Sequence, residues 1–135
     1  EPIRSIMSTE ITTVNITHKL SEVPRLLAAQ GIHHLPVVSG KKLVGLISAT
    51  DMVKLSFSAF GADERAVDAM LDHEFSIEKV MTTELTTLGS GRTVREAAKI
   101  LSDGAFHSLP IVGDDNELVG IVTSTDIIRY LVDQY

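Results

Sequence analysis

An internal repeat constrains this chain more than any other feature of its sequence. Residues 45–51 read Gly-Leu-Ile-Ser-Ala-Thr-Asp, and residues 120–126 answer with Gly-Ile-Val-Thr-Ser-Thr-Asp. Offsets of about 74 and 75 residues align most of the remaining chain. The aligned pairs include Met7 with Met81, Thr12 with Thr86, His33 with His107 and Pro36 with Pro110. A self-match of this density predicts one supersecondary unit built twice.

The first half of each copy has the pattern of a short strand followed by a helix. In copy one, residues 12–14 are β-prone, and residues 19–30 carry apolar side chains at helical spacing. Two helix starts are open. Ser21 as N-cap would place Pro24 in the tolerated first turn, whereas the repeat alignment starts the helix near Lys19.

The second half of each copy has the pattern of a hairpin followed by another helix. Residues 35–38 and 43–48 are apolar runs, and they flank a turn-forming Ser-Gly-Lys-Lys at residues 39–42. This arrangement predicts an antiparallel hairpin. From Asp51 the chain is expected to be helical until Gly61.

These patterns predict an α/β (α+β) fold of two β-α-β-β-α repeats, packed sheet to sheet with pseudo-twofold symmetry. We assign residues 2–60 to repeat 1, residues 61–75 to an acidic helical connector and residues 76–135 to repeat 2. The second copy is the clearer one, because Thr93 and Glu96 have the spacing of a capping box. The acidic face of the connector is expected to be solvated.

Composition excludes several classes of protein. The 135 residues include no cysteine, which excludes disulfide scaffolds and cysteine-based zinc or catalytic sites and fits a cytoplasmic location. The net charge of −6 argues against an extended nucleic-acid surface. No apolar run approaches the roughly 20 residues of a membrane span, and no signal peptide is expected. The chain does not begin with Met, which leaves open that it is a piece of a larger protein.

The repeated turn combines groups that suit a nucleotide. Each copy runs from an apolar strand into hydroxyl residues and closes on an aspartate, Asp51 or Asp126. A helix beginning there would favour anions through its unpaired N–H groups, and a carboxylate can accept hydrogen bonds from ribose hydroxyls. The alternative is that both aspartates only cap their helices.

The order of these elements resembles a CBS-domain pair, also called a Bateman module. The resemblance rests on the duplicated β-α-β-β-α pattern, the Leu-Pro-Val and Leu-Pro-Ile strands and the Gly-x-x-Ser/Thr-x-x-Asp endings, and it covers residues 2–131. It implies a regulatory module without catalysis. Such pairs bind adenosine-containing ligands, with no tightly bound cofactor, in clefts between the repeats, and they commonly form homodimers.

The resemblance also implies roles for particular residues. Asp51 and Asp126 would hold ribose hydroxyls. The residues expected to contact ribose or phosphate are Ser48, Thr50, Thr123 and Thr125. Those expected to line the adenine are Thr12, Thr13, Val14, Thr86, Thr87 and Leu88.

Phosphate contacts are expected from the residues just ahead of Leu-Pro. In this chain those residues are His33 and His34 in one copy, and His107 and Ser108 in the other. In the resembling family, the regulatory subunit of the AMP-activated kinase has a His-Arg pair at these positions. This chain departs from that pattern, because it has no arginine at either second position. If the histidines only bond backbone, Lys54 and Arg129 would take the phosphate. No metal site is expected, because adjacent strand residues such as His33 and His34 point to opposite faces.

Two functions from different classes remain open at this point. The first is a sensor in which an adenosine nucleotide controls an attached or partner domain, with no role for nucleic acid or a membrane. The second is a structural homodimerisation module with vestigial clefts. Apolar residues after each aspartate predict a dimer interface; they are Met52, Val53, Leu55, Phe57 and Phe60 in one copy and Ile127, Ile128, Tyr130 and Leu131 in the other.

Overall fold

A computed structural model describes residues 1–56 and 64–135 of the chain. These residues divide into two compact units. The N-repeat unit contains residues 12–85, and the C-repeat unit contains Glu1–Ile11 together with Thr86–Tyr135.

The N-repeat unit has three strands and four helices among its described residues. The strands are β1 (Val14–Asn15), β2 (His34–Ser39) and β3 (Lys42–Ser48), and the helices are α1 (Glu22–Gln30), α2 (Ala49–Ser56), α3 (Glu64–Glu74) and α4 (Ile77–Val80). Strand β1 runs parallel to β2, and β2 runs antiparallel to β3. The predicted hairpin is confirmed, with Gly40 in its turn at a left-handed φ of 64°.

The C-repeat unit has the same topology. Its strands are β4 (Leu88–Gly89), β5 (Ser108–Val112) and β6 (Leu118–Thr123), and its helices are α5 (Val94–Leu101) and α6 (Ser124–Asp133). Strand β4 is parallel to β5, and β5 is antiparallel to β6. The predicted α/β class and the two β-α-β-β-α repeats are therefore confirmed.

Alternating side chains along β3 and β6 give each unit its own hydrophobic core. In β3, Leu43, Gly45 and Ile47 are buried while the residues between them are partly exposed. The N-repeat core gathers Ile47 with Val14, Leu35 and Ile77, among others. The C-repeat core is built in the same way around Val122.

The start of helix α1 is stabilised by a carboxylate that lies far away in the sequence. Ser21 is its N-cap but makes no side-chain bond within the helix. Instead, the Ser21 N–H and hydroxyl donate to the Asp72 carboxylate of α3, at 3.0 and 2.8 Å. Arg25 also donates to Asp68 of α3. The expectation that the acidic face of the connector is merely solvated is therefore wrong for these two aspartates.

Each unit includes a segment that precedes the other repeat in the sequence. We call residues 1–11 the N-terminal strap and residues 76–85 the connecting strap. In the C-repeat unit, Ser8 and Ile121 exchange two backbone hydrogen bonds of 2.8 and 2.9 Å. In the N-repeat unit, Thr82 and Leu46 do the same at 2.8 and 3.0 Å. The compact units thus differ from the sequence repeats by the exchange of these straps.

A methionine from each strap lies against a glycine of the adjoining strand. A Cβ atom on Gly45 would come within 2.5 Å of the Met81 sulfur, and a Cβ atom on Gly120 within 2.5 Å of the Met7 sulfur. Glycine is thus required for this approach. Both methionines pack against their cores.

Within the described part of the chain, the helices are too short or too polar to cross a membrane.

Candidate functional site

The turn between β3 and α2 brings a hydroxyl and a carboxylate together by a capping box. The Ser48 hydroxyl accepts from the Asp51 N–H at 3.0 Å, and the Ser48 N–H donates to Asp51 Oδ2 at 3.3 Å. Ser48 is therefore the cap of α2, and Asp51 is the third residue of the helix. This explains why α2 starts at Ala49, two residues before the predicted Asp51.

The turn between β6 and α6 has the same arrangement. The Thr123 hydroxyl accepts from the Asp126 N–H at 3.1 Å, and the Thr123 N–H donates to Asp126 Oδ2 at 2.8 Å. Asp51 and Asp126 are not the N-caps themselves, because Ser48 and Thr123 occupy that position. Both aspartates take part in capping, so the alternative that they only cap their helices stays a prediction. Each aspartate instead closes the reciprocal bond of the box.

In each carboxylate, only one of the two oxygens accepts a hydrogen bond from the described part of the chain. The bonds to Ser48 and Thr123 use only Oδ2 of Asp51 and of Asp126. Among the residues that the structure describes, no hydrogen bond to Oδ1 of either aspartate is found, and both side chains are half-buried. An oxygen in this position can accept a hydrogen bond from an outside donor.

The threonine between cap and aspartate is exposed in both turns. Thr50 and Thr125 are the second residues of α2 and α6 and are open to solvent. The amides of the first helical turn lack acceptors within the helix. The Ala49 N–H donates to the His33 carbonyl at 2.8 Å, and the Asp51 N–H to the Ser48 hydroxyl. The Thr50 hydroxyl therefore stands at the positive end of the helix dipole.

The histidines ahead of Leu-Pro are tied to the same turns through their backbone. The carbonyl of His33 accepts from Ala49 and that of His107 from Ser124, at 2.8 and 2.9 Å. Both histidines are exposed. These bonds could not be predicted from the side chains, because the bonded residues lie about 16 positions apart and interact through their backbones alone.

The second position of each pair lies opposite the cap residue. His34 pairs with Ser48 and Ser108 pairs with Thr123 in the strand registers. His34 is exposed at the beginning of β2. Strand pairing in the hairpin therefore places the second residue of each pair, His34 or Ser108, beside the candidate turn.

The residues proposed for adenine divide into two groups. Val14 and Leu88 are buried, at 0% and 7% exposure, within the hydrophobic cores. Only their backbones could meet a ligand. The threonines ahead of them are more accessible: Thr12, Thr13 and Thr87 are half-buried and Thr86 is exposed.

The predicted cations follow each aspartate by three residues. Lys54 and Arg129 are exposed, and a spacing of three places them on the same helix face as Asp51 and Asp126. Their long side chains can reach toward the helix start. In the described ranges, no group of three or more histidine or acidic residues is arranged to hold a metal ion.

Comparison with known protein families identifies the family of the chain that contains these repeated turns. The CBS domain model matches residues 3–58 and again residues 77–133. This chain belongs to the CBS domain family. The tandem match confirms the CBS pair that the sequence resembled.

Relatives of this CBS pair include larger proteins. Protein MJ1225 of Methanocaldococcus jannaschii is 26% identical over 131 residues, covering 96% of this chain and 47% of that protein. An inosine-5′-monophosphate dehydrogenase of Korarchaeum cryptofilum is 30% identical over 123 residues, covering 91% of this chain and 23% of the enzyme. The chain thus spans about half or less of these curated relatives.

One similar solved structure contains ligands. It is the CBS domain pair of protein MJ0100 in complex with 5′-methylthioadenosine and S-adenosyl-L-methionine. That structure is 27% identical to this chain, with a TM-score of 0.76, and the match covers 100% of this chain and 98% of the other. A related CBS pair of the same extent therefore binds adenosine-containing compounds.

Proposed function

We propose that this CBS pair is a regulatory module that binds an adenosine-containing compound (AMP, ADP, ATP or a related adenosyl ligand) and thereby controls an attached or partner domain. The observation that carries the proposal is the duplicated turn, in which a capping box holds a carboxylate while leaving its second oxygen uncommitted. The ligands of the MJ0100 pair support the chemical class.

The turn geometry suits a ribose. Vicinal hydroxyls are two donors close together, and they need acceptors held in a fixed place. Asp51 is fixed by the Ser48 N–H through Oδ2, so Oδ1 can accept a ribose hydroxyl without reorganising the side chain. Asp126 offers the same oxygen in the C-repeat unit. The hydroxyls of Ser48 and Thr123 can still donate, because in the capping box they only accept.

Phosphates, where the ligand has them, would meet the helix start and its cations. The exposed Thr50 and Thr125 hydroxyls stand at the positive ends of α2 and α6. Lys54 and Arg129 add charge one turn further on. His33 and His107 enter the turns through their carbonyls, and their exposed rings are the remaining candidates for phosphate contact.

A thermal-shift panel tests this proposal. Binding to the native state raises stability by RT ln(1 + [L]/Kd), so S-adenosylmethionine, 5′-methylthioadenosine, AMP, ADP and ATP should each be scanned at several concentrations. We expect at least one of them to raise the melting temperature. The matched control is 2′,3′-dideoxyadenosine against adenosine, because it lacks the two hydroxyls assigned to the aspartates. If no adenosyl compound shifts the transition, the proposal is wrong.

A second candidate function is homodimerisation, and the exposed face of α6 favours it. Ile128, Leu131 and Val132 are 60%, 50% and 65% exposed, and their spacing of three and four residues places them on one side of the helix. In the N-repeat unit, Val53 of α2 is 56% exposed. Exposed apolar stripes of this kind mark interfaces.

Some residues of the predicted dimer interface are buried within their own unit. Met52 and Ile127 are buried in the cores, at 4% and 8% exposure, so they are unavailable to a partner and that part of the expectation is wrong. Leu55 and Tyr130 are half-buried. Phe57 and Phe60 lie outside the described residues.

Light scattering with an Ile128→Glu variant tests the dimer. We expect the wild-type mass to be twice that of one chain at micromolar concentration, and the variant to be a monomer, because a buried charge would oppose the contact. Gln134→Glu is the control, since it adds the same charge at an exposed position at the end of α6. A monomeric wild type would contradict the dimer and leave the ligand proposal untouched.

A further inference from the structure

The two straps meet their units immediately ahead of the candidate turns. Ser8 exchanges both backbone hydrogen bonds with Ile121, two residues before the cap Thr123. Thr82 exchanges both bonds with Leu46, two residues before the cap Ser48. Each strap is therefore hydrogen-bonded to the end of the strand, β6 or β3, that leads into the candidate turn.

Side-chain packing joins the N-terminal strap to the same place. Ile3 is fully buried and shares its hydrophobic core with Val122 and Ile127. Val122 precedes the cap Thr123, and Ile127 follows Asp126. The strap thus contributes to the same hydrophobic core as the residues on both sides of the capping box.

The connecting strap repeats this packing in the N-repeat unit. Ile77 is fully buried in one core with Ile47 and Met52. These residues flank Ser48 and Asp51 in the sequence. Two independent copies of one arrangement indicate that the attachment belongs to the fold rather than to one local sequence.

The attachment is small enough to be released. Next to each turn, the strap is held by one bridged residue pair with two hydrogen bonds. The N-terminal strap has a second bridge at its beginning, between Pro2 and Thr93, and its only fully buried side chain is Ile3. Segments with few buried contacts open at a lower free energy than the core strands behind them. A strap can therefore open while its three-stranded sheet stays folded.

We propose that each strap is a conformational lever coupled to the turn of its own unit: closing the strap orders the capping box, and ordering the turn holds the strap closed. The regulatory consequence rests on the proposed function, in which a ligand binds to the turn and so biases the strap. Such coupling is a free energy shared by two places, and it acts in both directions.

The experiment compares matched variants of the whole chain by NMR amide exchange. Ile3→Ala loosens the N-terminal strap and Ile77→Ala the connecting strap, both far in sequence from the turns they are predicted to affect. The C-repeat probes are the amides of Ser8, Thr123 and Asp126. The N-repeat probes are the corresponding amides of Thr82, Ser48 and Asp51.

We expect each variant to act only on its own unit. Ile3→Ala should speed exchange about tenfold at all three C-repeat probes and less than about twofold at the N-repeat probes. Ile77→Ala should give the reverse pattern. Faster exchange at Ser8 with unchanged Thr123 and Asp126 would overturn the coupling.

A milder pair keeps the test decisive if an isoleucine variant destabilises the whole chain. Met7→Ala and Met81→Ala remove side chains that lie over Gly120 and Gly45 without emptying a fully buried site. The same unit-specific pattern is expected, with smaller factors. Equal acceleration at all six probes in this pair would contradict the proposal.

The ligand arm separates this inference from the proposed function. S-adenosylmethionine at saturation should slow exchange at Ser8 and Thr82, because an ordered turn holds its strap closed. If none of the five adenosyl compounds of the thermal-shift panel binds by calorimetry, the proposed function fails, and the ligand-free comparison still decides the lever. If one of them binds and neither strap amide slows in its presence, the lever is wrong and the proposed function stands.

Discussion

Helices α1 and α5 occupy the same position in the two repeats, yet their first turns are stabilised in different ways. Helix α5 supplies its own cap, because the Thr93 hydroxyl accepts from the Glu96 N–H at 3.2 Å. Helix α1 depends on Asp72 of α3, whose carboxylate accepts from the Ser21 N–H and hydroxyl. One repeat is thus locally self-sufficient, while the other requires the helix that follows it in the chain.

This difference gives α3 a structural task in the N-repeat unit. Ser21 is the only polar residue buried among the described ones, at 6% exposure. Its donors need acceptors there, because an unpaired buried polar group is costly. A carboxylate at a helix N-terminus also interacts favourably with the helix dipole. The connector therefore fixes α1 as well as linking the repeats.

The largest expected effect comes from removing the remote cap. Asp72→Ala should lower the free energy of unfolding by about 3 kcal/mol, because it removes two bonds to a charged group and leaves the Ser21 donors unsatisfied. Thr93→Ala, the matched change in α5, should cost about 1 kcal/mol. Urea titration measures both. Equal losses would show that the two caps are equivalent.

A second difference concerns the strand glycines under the straps. A Cβ at Gly120 would meet Met7 and also the Ser8 carbonyl, at 3.2 Å, whereas at Gly45 the nearest atoms all belong to the Met81 side chain. A side chain yields more easily than backbone. Gly120→Ala should therefore cost about 2 kcal/mol and Gly45→Ala about 1 kcal/mol. Denaturation midpoints compare them, and a larger loss at Gly45 would contradict the reasoning.

The smallest expected effect concerns two ion pairs. Arg25 pairs with Asp68 across helices, and Arg92, two residues before α5, pairs with Glu96 of α5 at 3.3 Å. Both arginines are more than half exposed, at 54% and 64%. Arg25→Met should cost about 0.5 kcal/mol and Arg92→Met less, because Arg25 also donates to the Ser21 carbonyl. Both losses should shrink in high salt; losses that grow with salt would exclude an ionic origin.

Local patterns predicted the elements that depend on neighbouring residues. The hairpin turn, the Thr93 cap of α5 and the connector helix all follow from side chains a few positions apart. The start of α1 did not, because Ser21 meets an acceptor 51 residues away. The choice between Ser21 and Lys19 was open for that reason.

The sequence predicted which residues belong to the candidate site better than it predicted how they are arranged. Repetition identified both aspartates, but the sequence could not tell the N-cap from the third residue of the box, since Ser, Thr and Asp all suit the cap. The strap exchange was also missed. The repeat alignment equates Met7 with Met81, but it contains no information on which copy each methionine packs against.

Calorimetry on the aspartate variants tests the central claim most directly. Wild type, Asp51→Ala, Asp126→Ala and the double variant would be titrated with S-adenosylmethionine, 5′-methylthioadenosine and AMP. Thr93→Ala serves as the control, because it removes a capping bond away from both turns. For a ligand that binds wild type, loss of a hydrogen bond to a charged group should weaken the affected site about tenfold or more. The double variant should give no measurable heat, and the control should bind like wild type. A double variant that is folded and binds with wild-type affinity would contradict the assignment of the ribose to Asp51 and Asp126.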